Sequence, residues 1–185
     1  SQLRIQIATL LVARWIKHII LNLWRGLKMD KQTQVVMFSP KTGQWATPQE
    51  FFDKLDWRFG PFDLDPCADA NNAKCTKFFT EEDNGLSHSW EGHTTFINPP
   101  YGRGIEKWIK KAFNESRKEN TKVVMLIPAR TDTKYWHQYV MKADEIHFVK
   151  GRLKFGDSQN SAPFPSAVIV FDGSNQRQIL GAMNR

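Results

Sequence analysis

Residues 94–115 read TTFINPPYGRGIEKWIKKAFNE, and they decide the fold class. Thr94–Ile97 predicts a short strand, and a proline-rich loop follows it. From Ile105 onward the apolar residues recur at the spacing of an amphipathic helix. We expect the opposite face of that helix, which includes Lys107 and Glu115, to be solvated. A strand that passes through a loop into a helix is the repeating unit of an α/β protein.

The upstream and central sequence extends this alternation. Thr47 and Pro48 predict the start of a helix that runs to about Trp57, with Thr47 as its cap. Residues 62–65 predict a strand, although the sequence leaves open whether it is the first or the second strand of the sheet. Residues 123–127 (VVMLI) form an unbroken apolar run, which is typical of a strand buried on both faces.

The C-terminal part predicts a helix over residues 132–141 and three terminal strands. These strands cover residues 146–149, 153–155 and 167–171. The fold class is therefore α/β, with antiparallel strands expected near the C-terminus.

Bulk composition narrows the class of protein. The chain has 185 residues, of which 41% are hydrophobic and 24% charged, as expected for a soluble globular protein with one main core. Two cysteines, Cys67 and Cys75, make no disulfide or metal framework, which favours a reduced, cytoplasmic setting. The five histidines show no metal-ligand spacing, so we expect no metal.

The N-terminal segment predicts a helix over residues 3–24 and an extension that ends at residue 28, before a main domain over residues 29–185. Charged residues interrupt its apolar runs, so we expect neither a membrane span nor a signal peptide. Three interpretations stay open: a helix packed on the domain or on a second copy, an interfacial anchor, or sequence upstream of a start at Met29. The oligomeric state stays open with them.

Charge is unevenly distributed along the chain, whose net charge is +7. Residues 29–102 carry six basic and eleven acidic residues, whereas residues 103–185 carry fifteen basic and eight acidic residues. An acidic segment suits a cationic cofactor, and a basic one suits a phosphate backbone.

The loop Asn98-Pro99-Pro100-Tyr101 carries the strongest chemical signal. Ligands of open α/β sheets bind beyond the carboxyl ends of strands, which is where this loop is expected. The N6 amine of adenine is a weak nucleophile, and hydrogen-bond acceptors on its two N–H groups favour a more nucleophilic nitrogen. The Asn98 side-chain oxygen and the Pro99 carbonyl are two such acceptors, in backbone that the prolines hold rigid. Tyr101 offers a flat ring on which a flipped base can stack.

These residues resemble a known enzyme family. Asn-Pro-Pro-Tyr is the catalytic motif of the amino-methyltransferases. Together with Thr47-Pro48, the acidic stretch at 63–68 (DLDPCA) and the stretch at 151–155 (GRLKF), it resembles the small phage-encoded DNA N6-adenine methyltransferases. The resemblance implies a Rossmann-like S-adenosylmethionine-dependent methyltransferase sheet, trimmed by one strand–helix unit. It also implies methylation of adenine N6 in DNA with S-adenosyl-L-methionine as cofactor, in a bacterial host cytoplasm if a phage encodes the chain.

The resemblance assigns roles to individual residues. Thr47 would hold the carboxylate end of the cofactor's methionine, and Asp63 and Asp65 would bind its amino group or ribose hydroxyls. Asp83 would accept a hydrogen bond from the amine of the cofactor's adenine. The full set assigned to the cofactor is Thr47, Pro48, Asp63, Asp65, Pro66, Cys67, Ala68 and Asp83.

Basic residues in the loops downstream are candidate contacts to DNA phosphates. They are Arg103, Arg130, Arg152 and Lys154. We expect no separate target-recognition domain in the remaining length, so the recognised base sequence should be short or be read by loops.

Two alternatives to a DNA adenine methyltransferase stay open. The same loop would serve any planar NH2 group, so the acceptor could be RNA adenine or a protein glutamine. The chain also lacks a glycine-rich cofactor turn, with residues 65–68 in its place, which would suit a catalytically inactive DNA-binding relative.

Overall fold

A computed structural model describes residues 45–156, 160–173 and 178–185. The expected N-terminal helix and the boundary at residue 28 lie outside the described residues. The elements in chain order are α1 (Gln49–Phe59), β1 (Leu64–Asp65), β2 (Lys77–Phe78), β3 (Thr94–Ile97), α2 (Ile105–Glu115), β4 (Lys122–Pro128), α3 (Lys134–Gln138), a 3-10 turn (Val140–Lys142), β5 (Glu145–Lys150), β6 (Ser166–Phe171) and β7 (Ile179–Asn184).

The described strands form one seven-stranded sheet in the order β2-β1-β3-β4-β6-β5-β7. Neighbours among β1, β2, β3 and β4 are parallel. β6 runs antiparallel to both β4 and β5, so the expected antiparallel pairing near the C-terminus is confirmed. β7, which the sequence analysis did not predict, is parallel to β5.

The strand order of the sheet reverses between β1 and β3. From β1 the chain moves outward to β2 and then returns to the other side of β1 as β3. β1 is therefore the first strand among the described residues. The connections at 66–76 and 79–93 contain turns but no helix. A crevice outside the carboxyl ends of β1 and β3 is the place where such sheets bind ligands.

The core lies on both faces of the sheet. Val123, Met125 and Ile127 of β4 belong to one cluster, and Val124 and Leu126 belong to the other. This alternation confirms the prediction that the VVMLI strand is buried on both faces. α1 packs on the second cluster through four apolar residues, and α2 packs on the first through Ile105, Ile109 and Ala112.

Four local expectations were wrong. α1 begins at Gln49, and no side chain caps it: Pro48 occupies the N-cap position, while Thr47 bonds elsewhere. Residues 153–155 form no strand, because Leu153 and Phe155 turn inward to the core from irregular backbone. The helix expected over 132–141 is a short helix followed by a 3-10 turn.

Glu115 is the fourth exception, because the structure buries it rather than leaving it solvated. Its carboxylate accepts a hydrogen bond from the Trp90 backbone N–H at 2.8 Å and pairs with Lys111 and Lys118. A buried acid with these partners ties the end of α2 to the loop before β3. No helix in the described part of the chain is long and apolar enough to cross a membrane.

Candidate active site

Asn98 lies immediately beyond the carboxyl end of β3, half-buried at the crevice. Its Nδ2 donates to the Trp45 carbonyl and to Thr47 Oγ1, the latter at 3.0 Å. Its Oδ1 accepts from the Tyr101 hydroxyl at 2.7 Å. The amide nitrogen contacts two acceptors and the amide oxygen contacts one donor, so these contacts determine the orientation of the amide.

Tyr101 sits among aromatic rings. Its ring lies nearly parallel to Trp45, with centroids 6.4 Å apart, and edge-on to Phe155 and Phe164. Burial raises the pKa of Tyr101, so its hydroxyl stays protonated and remains a donor to Asn98. The Gly156 N–H donates to the Ala46 carbonyl at 2.8 Å, which holds the two loops of this cluster together.

Asp65 ends β1 on the other side of the crevice and is only 4% exposed. Its carboxylate accepts backbone hydrogen bonds from Cys67 at 3.3 Å and from Lys74 at 3.1 Å. Burial raises the pKa of Asp65 to about 6, against the lowering effect of these two N–H groups. A carboxylate that burial leaves short of compensation favours a cationic ligand.

The segments after β1 and β2 pack closely. A Cβ added to Gly85 would lie 1.9 Å from the Pro66 carbonyl oxygen, so only glycine permits this approach. The Ala68 N–H donates to the Phe79 carbonyl at 3.1 Å, which joins the same two segments. Asp83 is exposed on the second segment, and its carboxylate accepts from the Thr80 N–H and hydroxyl.

The structure brings Asp65, Asp83 and Asn98 to one edge of the sheet but does not bring Asp63 there. Asp63 precedes β1, and its carboxylate bonds the Thr94 N–H at the amino end of β3 and the His93 ring at 3.0 Å. Asp63 therefore bonds at the amino end of β3, whereas Asp65 lies at the carboxyl end of β1.

The remaining assigned residues lie close to this edge. Thr47 is buried against Asn98, Pro99 is buried, and Pro48 and Cys67 are half-buried. Burial raises the pKa of Cys67 to about 12, so its thiol is not a nucleophile at neutral pH.

The four predicted DNA contacts all follow parallel strands. Arg103 is exposed after β3, Arg130 is half-buried after β4, and Arg152 and Lys154 are exposed after β5. Because β3, β4 and β5 point the same way, these cations lie on loops at the same edge as Asn98.

Sequence reasoning missed the aromatic cluster and the backbone acceptor. The Trp45 carbonyl cannot be identified from residue type, since every residue has one. The sequence held only a weak signal for the rings of Trp45, Phe155 and Phe164. That signal was the aromatic residues near Thr47 and in the turn that contains Pro163 and Pro165.

No group of three His, Cys, Asp or Glu side chains within residues 45–156, 160–173 and 178–185 is placed to hold a metal ion. The crevice at the β1/β3 switch point, with one reversed strand in the sheet, defines the fold of an S-adenosylmethionine-dependent methyltransferase. Residues 34–185 match the family described as DNA N-6-adenine-methyltransferase (Dam), and the chain belongs to that family.

Two phage proteins illustrate the relationship. A DNA N-6-adenine-methyltransferase of Haemophilus phage HP1 is 32% identical over 135 residues, which cover 69% of this chain and 78% of the relative. A DNA N-6-adenine-methyltransferase of Escherichia phage T1 is 34% identical over 110 residues, which cover 59% of this chain but 45% of the relative. The chain thus matches less than half the length of the phage T1 protein.

Proposed function

We propose that this chain transfers a methyl group from S-adenosyl-L-methionine to the N6 amine of adenine in DNA. The observation that carries the proposal is the fixed amide of Asn98 at the sheet's switch point, opposite the buried carboxylate of Asp65. Family membership supports the adenine and DNA parts of the proposal.

The amide orientation suits an NH2 acceptor. Asn98 Oδ1 has two lone pairs, and the Tyr101 hydroxyl uses one of them, so the other is left to accept from adenine N6. The Pro99 carbonyl accepts the second N–H. Neither group is charged, so no full charge is buried beside a cationic methyl donor. Tyr101 both orients Asn98 and offers a ring against the extruded base.

The residues at the crevice fit the cofactor. S-adenosylmethionine supplies an electrophilic methyl group on a sulfonium, and it also carries an ammonium group. Asp65 matches that positive charge, since it is buried and its two backbone N–H partners offset only part of the cost of that burial. Pro66, Cys67 and Ala68 would line its side, and Asp83 would face its adenine.

The basic loops fit DNA. Arg103, Arg130, Arg152 and Lys154 lie on loops at the same edge of the sheet as Asn98. They would hold phosphates on either side of the target nucleotide, as contacts that position the duplex without reading its sequence.

Labelling with tritiated S-adenosylmethionine tests the proposal. Wild-type protein should place label in N6-methyladenine of duplex DNA, and Asn98→Ala should reduce the rate by at least about 100-fold, the typical loss of one transition-state contact. Asn114→Ala, at an exposed position of α2, is the matched control and should retain wild-type activity. Calorimetry and thermal melting should show that Asn98→Ala still folds and binds the cofactor.

Label found only in cytosine, in RNA or in protein glutamine would overturn the proposal. Failure of the wild-type protein to bind S-adenosylmethionine would instead support an inactive DNA-binding relative.

A further inference from the structure

An open groove of about 680 Å³ lies between α1 and the last strand, β7, outside the site described above. Its lining includes Lys54, Trp57 and Arg58 from α1 and Met183 from β7. Trp57 is 89% exposed there. We propose that this groove binds the substrate's DNA strand, with a base stacked on the Trp57 indole and phosphates on Lys54 and Arg58.

The chemistry of the lining matches a nucleotide. An exposed indole is a platform on which any base can stack, and neighbouring cations bind the backbone. The Arg58 guanidinium carbon lies 5.1 Å from the centre of the Phe59 ring, which supports the side chain at the helix end. Asp53 is the acid in this lining, and its carboxylate accepts from Gln49 at 2.7 Å. Tryptophan and arginine are also the residues that most often dominate binding surfaces.

A chain of contacts connects the groove to the candidate active site. Asn98 bonds the Trp45 carbonyl, and the Trp45 ring lies 5.5 Å from that of Phe155. Three residues before Phe155, the Arg152 carbonyl accepts from Arg185 at 3.2 Å. The Arg185 carbonyl in turn accepts from Lys54 at 3.1 Å, one helical turn from Trp57.

This continuity selects DNA as the occupant. Arg152 and Arg185 are two cations between the site and the groove, so a strand leaving the target base meets basic side chains before it reaches Lys54 and Arg58. The inference rests on the proposed function for the identity of the substrate, and it adds a contact outside the catalytic edge.

Direct DNA binding by the full-length protein tests it. The probe is an end-labelled, adenine-containing duplex with a single-stranded overhang that can reach the groove, followed by fluorescence anisotropy without cofactor. Trp57→Ala should raise the Kd for DNA by about 5- to 100-fold, the range for loss of one base–aromatic stack. Trp57→Phe should recover most of the affinity, and the Kd for S-adenosylmethionine should not change. Leu180→Ala, which alters another exposed apolar side chain on β7, is the control and should bind DNA like the wild type.

A second measurement locates the contact. Duplex carrying 5-iodouracil should cross-link on irradiation to the peptide that contains Trp57. The inference would be overturned if Trp57→Ala bound DNA with wild-type affinity. It would also be overturned if that variant lost self-association and not DNA binding. If the protein methylates adenine but its DNA affinity does not depend on Trp57, only this inference is wrong. If DNA binding depends on Trp57 but adenine is not methylated, only the proposed function is wrong.

Discussion

At the scale of single residues, the decisive arrangement is the set of three partners around the Asn98 amide. Sequence predicted where Asn98 lies, because a loop after a strand falls at the carboxyl edge of the sheet. It could not predict that Thr47, 51 positions earlier, accepts a hydrogen bond from the amide. That contact depends on how α1 is placed, and we propose that Thr47 positions Asn98 through it.

Replacing Thr47 separates this positioning role from a cofactor contact. Thr47→Val keeps the shape but removes the acceptor, so kcat should fall about 5- to 10-fold, the effect of one lost hydrogen bond. Thr47→Ser retains the hydroxyl and should stay within about twofold of wild type on the same argument. Steady-state kinetics and calorimetry make the comparison. A large rise in the Kd for S-adenosylmethionine in Thr47→Val, with kcat unchanged, would restore the cofactor role.

Asp65 predicts a pH-dependent cost in stability. Its pKa is about 6 in the folded protein against 3.8 for an ordinary aspartate. The folded protein therefore holds this proton over a range in which the unfolded chain has released it, and the free energy of unfolding falls as pH rises from about 4 to 6. The shift corresponds to about 3 kcal/mol at neutral pH.

Asp65→Asn should remove that cost. At pH 7.5 we expect the free energy of unfolding to rise by about 2 kcal/mol, since removing the buried charge outweighs the loss of one backbone hydrogen bond, which the amide nitrogen cannot accept. At pH 3.5 the gain should vanish, and cofactor affinity should fall at every pH. Urea titrations at the two pH values check this, with the exposed Glu50→Gln as control. Equal stabilisation at both pH values would contradict the explanation.

At the scale of elements, sequence patterns predicted β3, α2 and β4 well, because each buries a regular set of apolar side chains. They failed where tertiary contacts replace local pattern. Residues 153–155 alternate like a strand but instead supply Leu153 and Phe155 to the core from irregular backbone. β7 carries exposed Ile179 and Leu180, so its sequence gives no sign of a half-buried strand.

Gly85 matters at the scale of elements, because it allows the two connections without helices, residues 66–76 and 79–93, to pack against each other. Gly85→Ala should lower the free energy of unfolding by about 1–3 kcal/mol, because the Pro66 backbone must move away from the new methyl group. That movement should also weaken cofactor binding beside Asp65. Gly104→Ala, where an added Cβ meets nothing within 4 Å, is the matched control. Urea unfolding and calorimetry that show equal effects for both variants would refute the argument.

At the scale of the whole molecule, the sheet order determines where the unevenly distributed charge of the chain lies. The acidic residues 29–102 supply β1–β3 and the Asp65 side of the crevice, whereas the basic residues 103–185 supply the loops after β4 and β5. Composition predicted this division, but only the parallel strand directions place Arg130 and Arg152 on the same edge as Asn98.

Salt should therefore weaken the binding of DNA much more than the binding of S-adenosylmethionine. Six phosphate contacts, four at this edge and two in the groove, predict a log–log slope of about −5.4, or a loss of roughly 1,000-fold in DNA affinity between 50 and 200 mM salt. Arg152→Ala should reduce the slope by about 1, while Lys107→Ala on the exposed face of α2 should leave it unchanged. The Kd for S-adenosylmethionine should vary little over this range. Anisotropy titrations that find no change of slope in Arg152→Ala would remove it from the interface.

The position of β6 also matters during synthesis on the ribosome. β4, which is buried at six of its seven positions, pairs on one side with β3, but its other neighbour is made only after β5. Until residues 166–171 have been translated, a nascent chain carries an open hydrophobic edge of the kind that seeds aggregation. Messages truncated within this interval should consequently yield insoluble fragments, while termination beyond β6 should not.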